Sequence, residues 1–340
     1  MYGGTERVIN DLAYGLDQQE NDVLLITVAE SSCPVRMGWF YTKAQIDKIG
    51  NVVVEMRHVV EAYNAVQDYD IVHDHTVSGP TYSYRFPRLP VVTTNHAPFT
   101  SDFGPVYRAA ADKVPILAVS HHQASMAGDI PVAGVIHHGV DTNRFPIGSG
   151  GGGYFAYLGR MAPGKGVREA AAIARAAGVP LKIAAKMREP AEQQYFEGFV
   201  KPLLSREVEY VGEINDREKH GLLGEAVALL NPISWPEPFG LVMVEALACG
   251  TPVLGTSHGA TAELVEDGVS GFIGRSHDEL VALAHRVITL DRRECRRRAE
   301  LAFSASRMVR EHQDFYRRVL TQHRWSAHLS DASVDTSRLP

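Results

Sequence analysis

Glu237 and Glu245 stand with seven residues between them in the segment NPISWPEPFGLVMVEALACGTPV, residues 231–253. Pro238 and Gly240 hold the first glutamate on an irregular loop. Leu241, Val244 and Leu247 then supply the apolar stripe of a helix, with Glu245 in its early turns. A helix start carries backbone N–H groups without helical partners and the positive end of the dipole. A diphosphate can therefore lie against Phe239, Gly240, Leu241 and Val242. In that arrangement Glu245 accepts hydrogen bonds from a ribose diol and Glu237 contacts a transferred sugar. The plainer alternative is that both are favourable charges near a helix start.

A second cluster is YLGRMAPGKGV, residues 157–167, where a strand end runs into a glycine-rich turn carrying Arg160 and Lys165. Ligands of open α/β sheets bind at the carboxyl ends of strands. Two cations there can neutralise a diphosphate leaving group, Arg160 as a planar fork and Lys165 as a compact charge. Taken singly, either is an ordinary solvated turn residue.

The elements that must position these groups follow from pattern. At 340 residues the chain exceeds the length at which one core usually stops growing, so two domains are expected. Apolar residues make up 45% and charged residues 22%, the balance of a globular protein. A net charge of -6 gives no general attraction to nucleic acid or to an anionic membrane. Cys33, Cys249 and Cys295 have no metal-ligand or disulfide spacing. No apolar run is long enough to span a bilayer and no basic-then-apolar leader opens the chain, so a cytoplasmic location is expected.

Short apolar runs at 23–28, 52–54, 70–73, 91–94 and 116–119 read as buried strands, with helical patterns at 7–16 and 59–65. The alternation restarts with strands at 154–158, 181–185, 208–211, 228–230 and 253–255, and helices at 167–177, 217–225 and 241–248. Strand, helix, strand at this spacing predicts parallel sheets covered on both faces, in two Rossmann-like halves. The run IGSGGGGY, residues 147–154, precedes a strand rather than following one, so it reads as a flexible linker rather than a phosphate loop, with the boundary near residue 150. Beyond residue 276 the pattern is helical, and residues 326–340 read as a loose tail.

EPFGLVMVE at 237–245 resembles the EX7E motif of the family 4 retaining glycosyltransferases, and GRMAPGKG at 159–166 resembles their donor-phosphate motif. MYGGTER at 1–7 is similar to the family's N-terminal glycine loop, Thr94-Asn-His96 and His138-Gly-Val-Asp141 add to the likeness, and the resemblance as a whole covers residues 1 to about 320. The resemblance implies an α/β GT-B fold: two Rossmann-like, doubly wound domains facing each other across a cleft. Residues 1–150 would form the acceptor side and 151–305 the donor-binding domain, with a helix over 306–325 that can return to the N-terminal domain. It implies that Gly3 and Gly4 bring backbone N–H groups to the donor and that His96 meets the donor sugar. Glu237 would bind sugar hydroxyls, Glu245 ribose, and Arg160 and Lys165 the diphosphate. No metal or other cofactor is expected, because the nucleotide-sugar is itself a substrate. The reaction implied is transfer with retention, from a UDP-sugar by preference over GDP or ADP, to a soluble hydroxyl such as a natural product or oligosaccharide. A lipid-linked or polysaccharide acceptor is the alternative.

Two departures stand out. The family has a full strand before its glycine loop, whereas Met1 and Tyr2 alone precede Gly3, so the start lies upstream or the strand is absent. His138 stands where the family commonly has Asn, and it is given no catalytic role.

Other signals carry less. Asp68-Tyr-Asp70 matches a metal-binding DxD pattern but precedes a strand at its amino end, the wrong side for a ligand. The adjacent pairs His121-His122 and His137-His138 chelate poorly, and His73 and His75 lack a nearby third ligand, which leaves them the option of lining an acceptor cleft. The basic run 292–298 is flanked by acids and reads as a solvated helix face. Aromatic residues in the N-terminal loops, among them Trp39, Tyr82, Tyr84, Phe86, Phe99 and Tyr107, suit stacking on an acceptor or a place in the core. The rival classes are an NAD-dependent oxidoreductase, which lacks the expected GxGxxG after a first strand, and an inactive nucleotide-sugar binding protein. The oligomeric state stays open.

Overall fold

The computed structural model describes residues 4–45, 48, 50–100 and 102–332, with side-chain surroundings through residue 323. In chain order the first elements are α1 (Gly4–Asp17), β1 (Leu24–Val28), β2 (Arg36–Tyr41), α2 (Val52–Ala65), β3 (Val72–Asp74), α3 (Gly79–Tyr82), β4 (Val91–Thr94), α4 (Gly104–Ala110), β5 (Ile116–Ala118), α5 (His121–Ser125) and β6 (Val132–Val135). There follow β7 (Phe155–Arg160), α6 (Val167–Ala177), β8 (Leu181–Lys186), α7 (Pro190–Tyr195), β9 (Val208–Gly212), α8 (Asp216–Glu225), β10 (Ala228–Asn231), α9 (Leu241–Ala248), β11 (Val253–Thr256), α10 (Thr261–Leu264), β12 (Gly271–Gly274), α11 (His277–Val287), α12 (Arg292–Ala302) and α13 (Ala305–Ala332). No helix among the described residues is long and apolar enough to cross a membrane.

The chain forms two compact units. The larger comprises residues 4–11, Ser120–Gln123 and His137–Arg307, and the smaller Leu12–Val119, Ala124–Ile136 and 308–332. The larger unit is built on six parallel strands in the order β12-β11-β10-β7-β8-β9. Its helix α6 is capped at both ends by left-handed glycines, Gly166 (φ +76°) and Gly178 (φ +65°). Between them Val167, Ala170, Ala171, Ile173, Ala174 and Ala177 form one buried face against the core of Phe155, Tyr157, Leu181 and Ile183. Helix α9 is buried from Met243 to Ala248, because α8 and α12 pack on it in addition to the sheet.

The smaller unit holds a parallel pair, β1-β2, and a four-stranded parallel sheet, β3-β4-β5-β6. Here one expectation fails: residues 52–54 open α2 instead of forming a strand. The Asn51 side chain accepts from the Val53 and Val54 amides at 3.0 and 3.2 Å, and this cap overrides the β preference of three valines. Val52 and Val53 are left exposed, while Val59 and Tyr63 carry the buried face. Strands β2, β6 and β12 lay outside the expected set.

The glycine run is also different from its expectation. Gly148, Gly150 and Gly152 donate from their amides to the carbonyls of Cys249, Gly224 and Glu225 at 3.0, 3.0 and 2.9 Å. A Cβ on Gly148 would lie 2.0 Å from the Gly224 carbonyl oxygen, so this glycine permits backbone-to-backbone docking rather than freedom. The basic run is a solvated face only in part: Arg293 and Arg297 are exposed, but the other arginines turn inward. Arg292 caps the carbonyls of Gly148, Gly224, Ala226 and Cys249, Arg296 those of Phe145 and Ala248, and Arg298 those of Glu263 and Leu264. Residues 326–332, expected in a loose tail, continue α13, and 333–340 lie outside the described residues.

Candidate active site

The sheet of the larger unit delivers two loops to each other. After β7, Gly166 turns with a left-handed backbone, and a Cβ there would lie 2.0 Å from the Pro232 carbonyl oxygen. The Ser234 amide donates to the Gly164 carbonyl at 3.0 Å, which docks this turn on the loop that follows β10. That loop is held in turn by its own neighbours. Ser120 Oγ donates to the Pro238 carbonyl at 2.6 Å, and the Ala260 amide to the Glu237 carbonyl at 3.1 Å. Gly240 (φ +96°) then starts α9, where a Cβ would meet Met243 Cε at 2.5 Å.

This docking brings Lys165 onto Glu237. The Lys165 ammonium donates to Glu237 Oε2, which also accepts from Trp235 Nε1 at 2.9 Å. The same ammonium lies 4.3 Å from the centroid of the Trp235 ring. Lys165 and Glu237 remain partly exposed, at 23% and 16% of their side chains. Trp235 is thus a member of the cluster that spacing did not single out. Its only signal is its place in the same loop.

The other cation goes elsewhere. Arg160 Nε donates to Glu192 at 2.7 Å and its Nη2 to Glu189 at 2.9 Å, at the start of α7. Burial pushes the Glu192 carboxyl up, but the Glu189 amide, Arg160 and the Arg188 amide outweigh it and hold Glu192 below its ordinary value. Arg160 and Lys165 are therefore not paired on one carboxylate.

Glu245 is fully buried, and Oε1 accepts from Lys219 Nζ at 2.6 Å and Arg7 Nη1 at 3.3 Å. Arg7 also pairs with Asp216, which lies 3.4 Å from Lys219. Burial lowers the Lys219 pKa and the charge of Glu245 opposes that fall. Arg7, Lys219 and Asp216 were missed; Arg7 sits in the GGTER segment, but nothing local marks a lysine 26 residues before Glu245. Gly4, at the start of α1, approaches Leu241, whose Cδ2 would lie 3.8 Å from a Cβ there. Gly3 lies outside the described residues.

Phe239 contributes its ring to the core instead of the surface: it is 3% exposed and packs edge-on against His138 at 4.9 Å between centroids. Leu241 and Val242 form the first turn of α9, where helical geometry leaves amides without a helical acceptor.

In the smaller unit His96 joins a histidine cluster. His96 Nε2 lies 3.0 Å from His75 Nδ1, and the rings of His73 and His75 are 4.1 Å apart. His73 is held by Tyr316 at 2.6 Å and Thr94 at 2.8 Å. Burial, then the neighbouring rings, push His73 and His75 well below the usual imidazole range and His96 down to about 4. Of the aromatic residues suited to an acceptor, Tyr107 is core at 3% exposed, while Tyr82, Tyr84, Phe86 and Phe99 are partly buried against core residues: Tyr63 stacks on Phe86 at 5.7 Å and meets Tyr82 edge-on at 5.8 Å. Trp39 remains half exposed.

Two family models match adjacent parts of the chain: Glycosyltransferase Family 4 over residues 2–144 and Glycosyl transferases group 1 over residues 140–302. The chain belongs to glycosyltransferase family 4. This family 4 chain is 41% identical over 112 residues to the D-inositol 3-phosphate glycosyltransferase of Nocardiopsis dassonvillei, covering 30% of this chain and 25% of that protein. It is 33% identical over 179 residues to the glycogen synthase of Mycobacterium tuberculosis, covering 49% of this chain and 42% of that one. The matched stretches thus span less than half the length of either curated relative. Among solved structures, AviGT4, a glycosyltransferase involved in avilamycin A biosynthesis, superposes with a TM-score of 0.69 at 25% identity over 94% of this chain and 91% of that one. Sucrose-phosphate synthase from Thermosynechococcus elongatus superposes at 0.78 with 18% identity, over 94% of each chain. The fold is GT-B, with two Rossmann-like α/β domains.

Proposed function

We propose that this chain is a retaining hexosyltransferase that moves a sugar from a nucleoside diphosphate sugar, by preference a UDP-sugar, to a soluble acceptor hydroxyl without a metal ion. The observation that carries the proposal is the Lys165–Glu237 pair, fastened by Trp235 just before the N-terminus of α9. A diphosphate offers Lys165 a stronger charge than one carboxylate does. Exchange of partners would seat the leaving group on Lys165 and the first-turn amides of Leu241 and Val242, and would turn Glu237 toward the sugar hydroxyls. Arg160, already held by Glu189 and Glu192 through two of its five N–H groups, can join through the others. In the ribose role proposed for Glu245, its carboxylate would be shared with Lys219 and Arg7, which already donate to Oε1. The part assigned to His96 rests on the family resemblance alone.

Calorimetric titration with UDP, GDP, ADP and NAD, without added metal, tests the donor reading. One nucleoside diphosphate should bind, and Lys165→Ala should weaken it at least about tenfold, or ~1.4 kcal/mol. Binding of NAD alone, or of nothing by folded protein, would overturn the assignment.

A further inference from the structure

The larger unit assembles a second cluster away from Lys165. His121, at the start of α5, His137, which follows β6, and Glu263, in α10, each present a ligand atom, and these atoms all lie within 4.8 Å of one another. His137 Nε2 donates to Glu263 Oε2 at 2.7 Å, and the His121 and His137 rings meet edge-on at 5.6 Å. The carboxylate is aimed by the chain itself: the His121 and His122 amides donate to its two oxygens at 2.8 and 2.6 Å. His137 also packs against the rings of Phe303 at 5.8 Å and Phe239 at 5.9 Å between centroids.

We propose that His121, His137 and Glu263 bind a divalent transition-metal ion, Zn²⁺ by ligand chemistry. Two imidazoles and a carboxylate, with one position left to water, are a set that Zn²⁺ takes readily and that Mg²⁺ and Ca²⁺ do not. Zinc bonds of about 2.0–2.2 Å at a tetrahedral angle would open the His137–Glu263 separation to about 3.3 Å. His137 must then carry its proton on Nδ1 and turn the Nε2 lone pair to the ion. His121 is exposed, which gives the ion an entry path. The ion would clamp three segments that are distant in the chain, behind Phe239 and hence behind the loop carrying Glu237. Its role is separate from the diphosphate chemistry proposed above.

The full chain, stripped with a chelator, is titrated with Zn²⁺ and analysed for bound metal after dialysis. One ion per chain is expected, with a Tm that rises with Zn²⁺, and Co²⁺ should give the visible ligand-field absorption of a four-coordinate site. His121→Asn alters an exposed side chain and should fold, yet weaken Zn²⁺ binding at least tenfold and abolish the Co²⁺ band; His285→Asn, on the exposed face of α11, should change neither. Absence of a stoichiometric ion, or equal binding by His121→Asn, would overturn the site and assign any uptake to scatter among the 15 histidines. None of these readouts uses a nucleotide, so the result stands apart from that of the donor titration.

Discussion

The two units handle buried polar groups in opposite ways. In the larger unit Glu245, Lys219, Arg7 and Asp216 keep two negative and two positive charges together, with Glu245 and Lys219 almost fully enclosed. In the smaller unit the charges that face His73 come from His75, His312 and His96, so each proton would repel the next. There the rings give up their charge instead. The lesson is that burial alone does not neutralise a side chain: a partner of opposite sign decides whether the ion persists.

The largest effect on stability should come from breaking the paired cluster. Glu245→Ala leaves the buried Lys219 and Arg7 with the more exposed Asp216 in place of a fully enclosed carboxylate and should cost about 2–4 kcal/mol, read as a lower urea midpoint. Adding Lys219→Met should restore much of that loss, because an apolar pair can replace a buried ion pair. A cost under about 1 kcal/mol for Glu245→Ala would mean that the cluster is solvated, as exposed pairs are. Glu245→Ala therefore tests the ribose contact only once the folded fraction is known.

The histidine cluster predicts acid lability. An unfolded histidine titrates near 6.5, whereas His96 is held to about 4 and His73 and His75 well below their ordinary value. Between those limits the unfolded chain binds protons that the native chain refuses. The stabilisation is fully present above pH 6.5 and is lost as the pH falls toward 4. His96 alone accounts for about 3 kcal/mol of that loss. Chemical denaturation at a series of pH values should show it, and His75→Asn should make the slope shallower; an unchanged slope would mean that the rings titrate normally in the fold.

This contrast also separates what the sequence discloses from what it hides. Buried parallel strands are unbroken apolar runs between turns, so β8 to β11 were legible nearly to the residue, as were α6 and α9. The run 52–54 has the pattern of a strand yet forms a helix because one asparagine cap decides it, and the glycines at 148–152 have the pattern of a linker yet dock because their partners at 224–225 and 249 are far along the chain. Glu237 and Lys165 were legible as kinds of residue, each within a compact motif. Their pairing, and that of His121 and His137 with Glu263, depends on docking between segments, which no local spacing records.

The smallest stability effect belongs to the pair with the most chemistry. Lys165 and Glu237 are partly exposed, so Lys165→Ala or Glu237→Gln should each change folding stability by less than about 1 kcal/mol. Their effects on function should then divide. Lys165→Ala removes the charge meant for the diphosphate and should weaken nucleotide binding, whereas Glu237→Gln should leave nucleotide binding nearly intact and lower kcat once an acceptor is supplied, since its contacts are with the sugar. Equal losses of nucleotide binding in both variants would show that the two residues act as one unit holding the loop. The exchange of Lys165 from carboxylate to phosphate would then be wrong, whatever the donor titration gives.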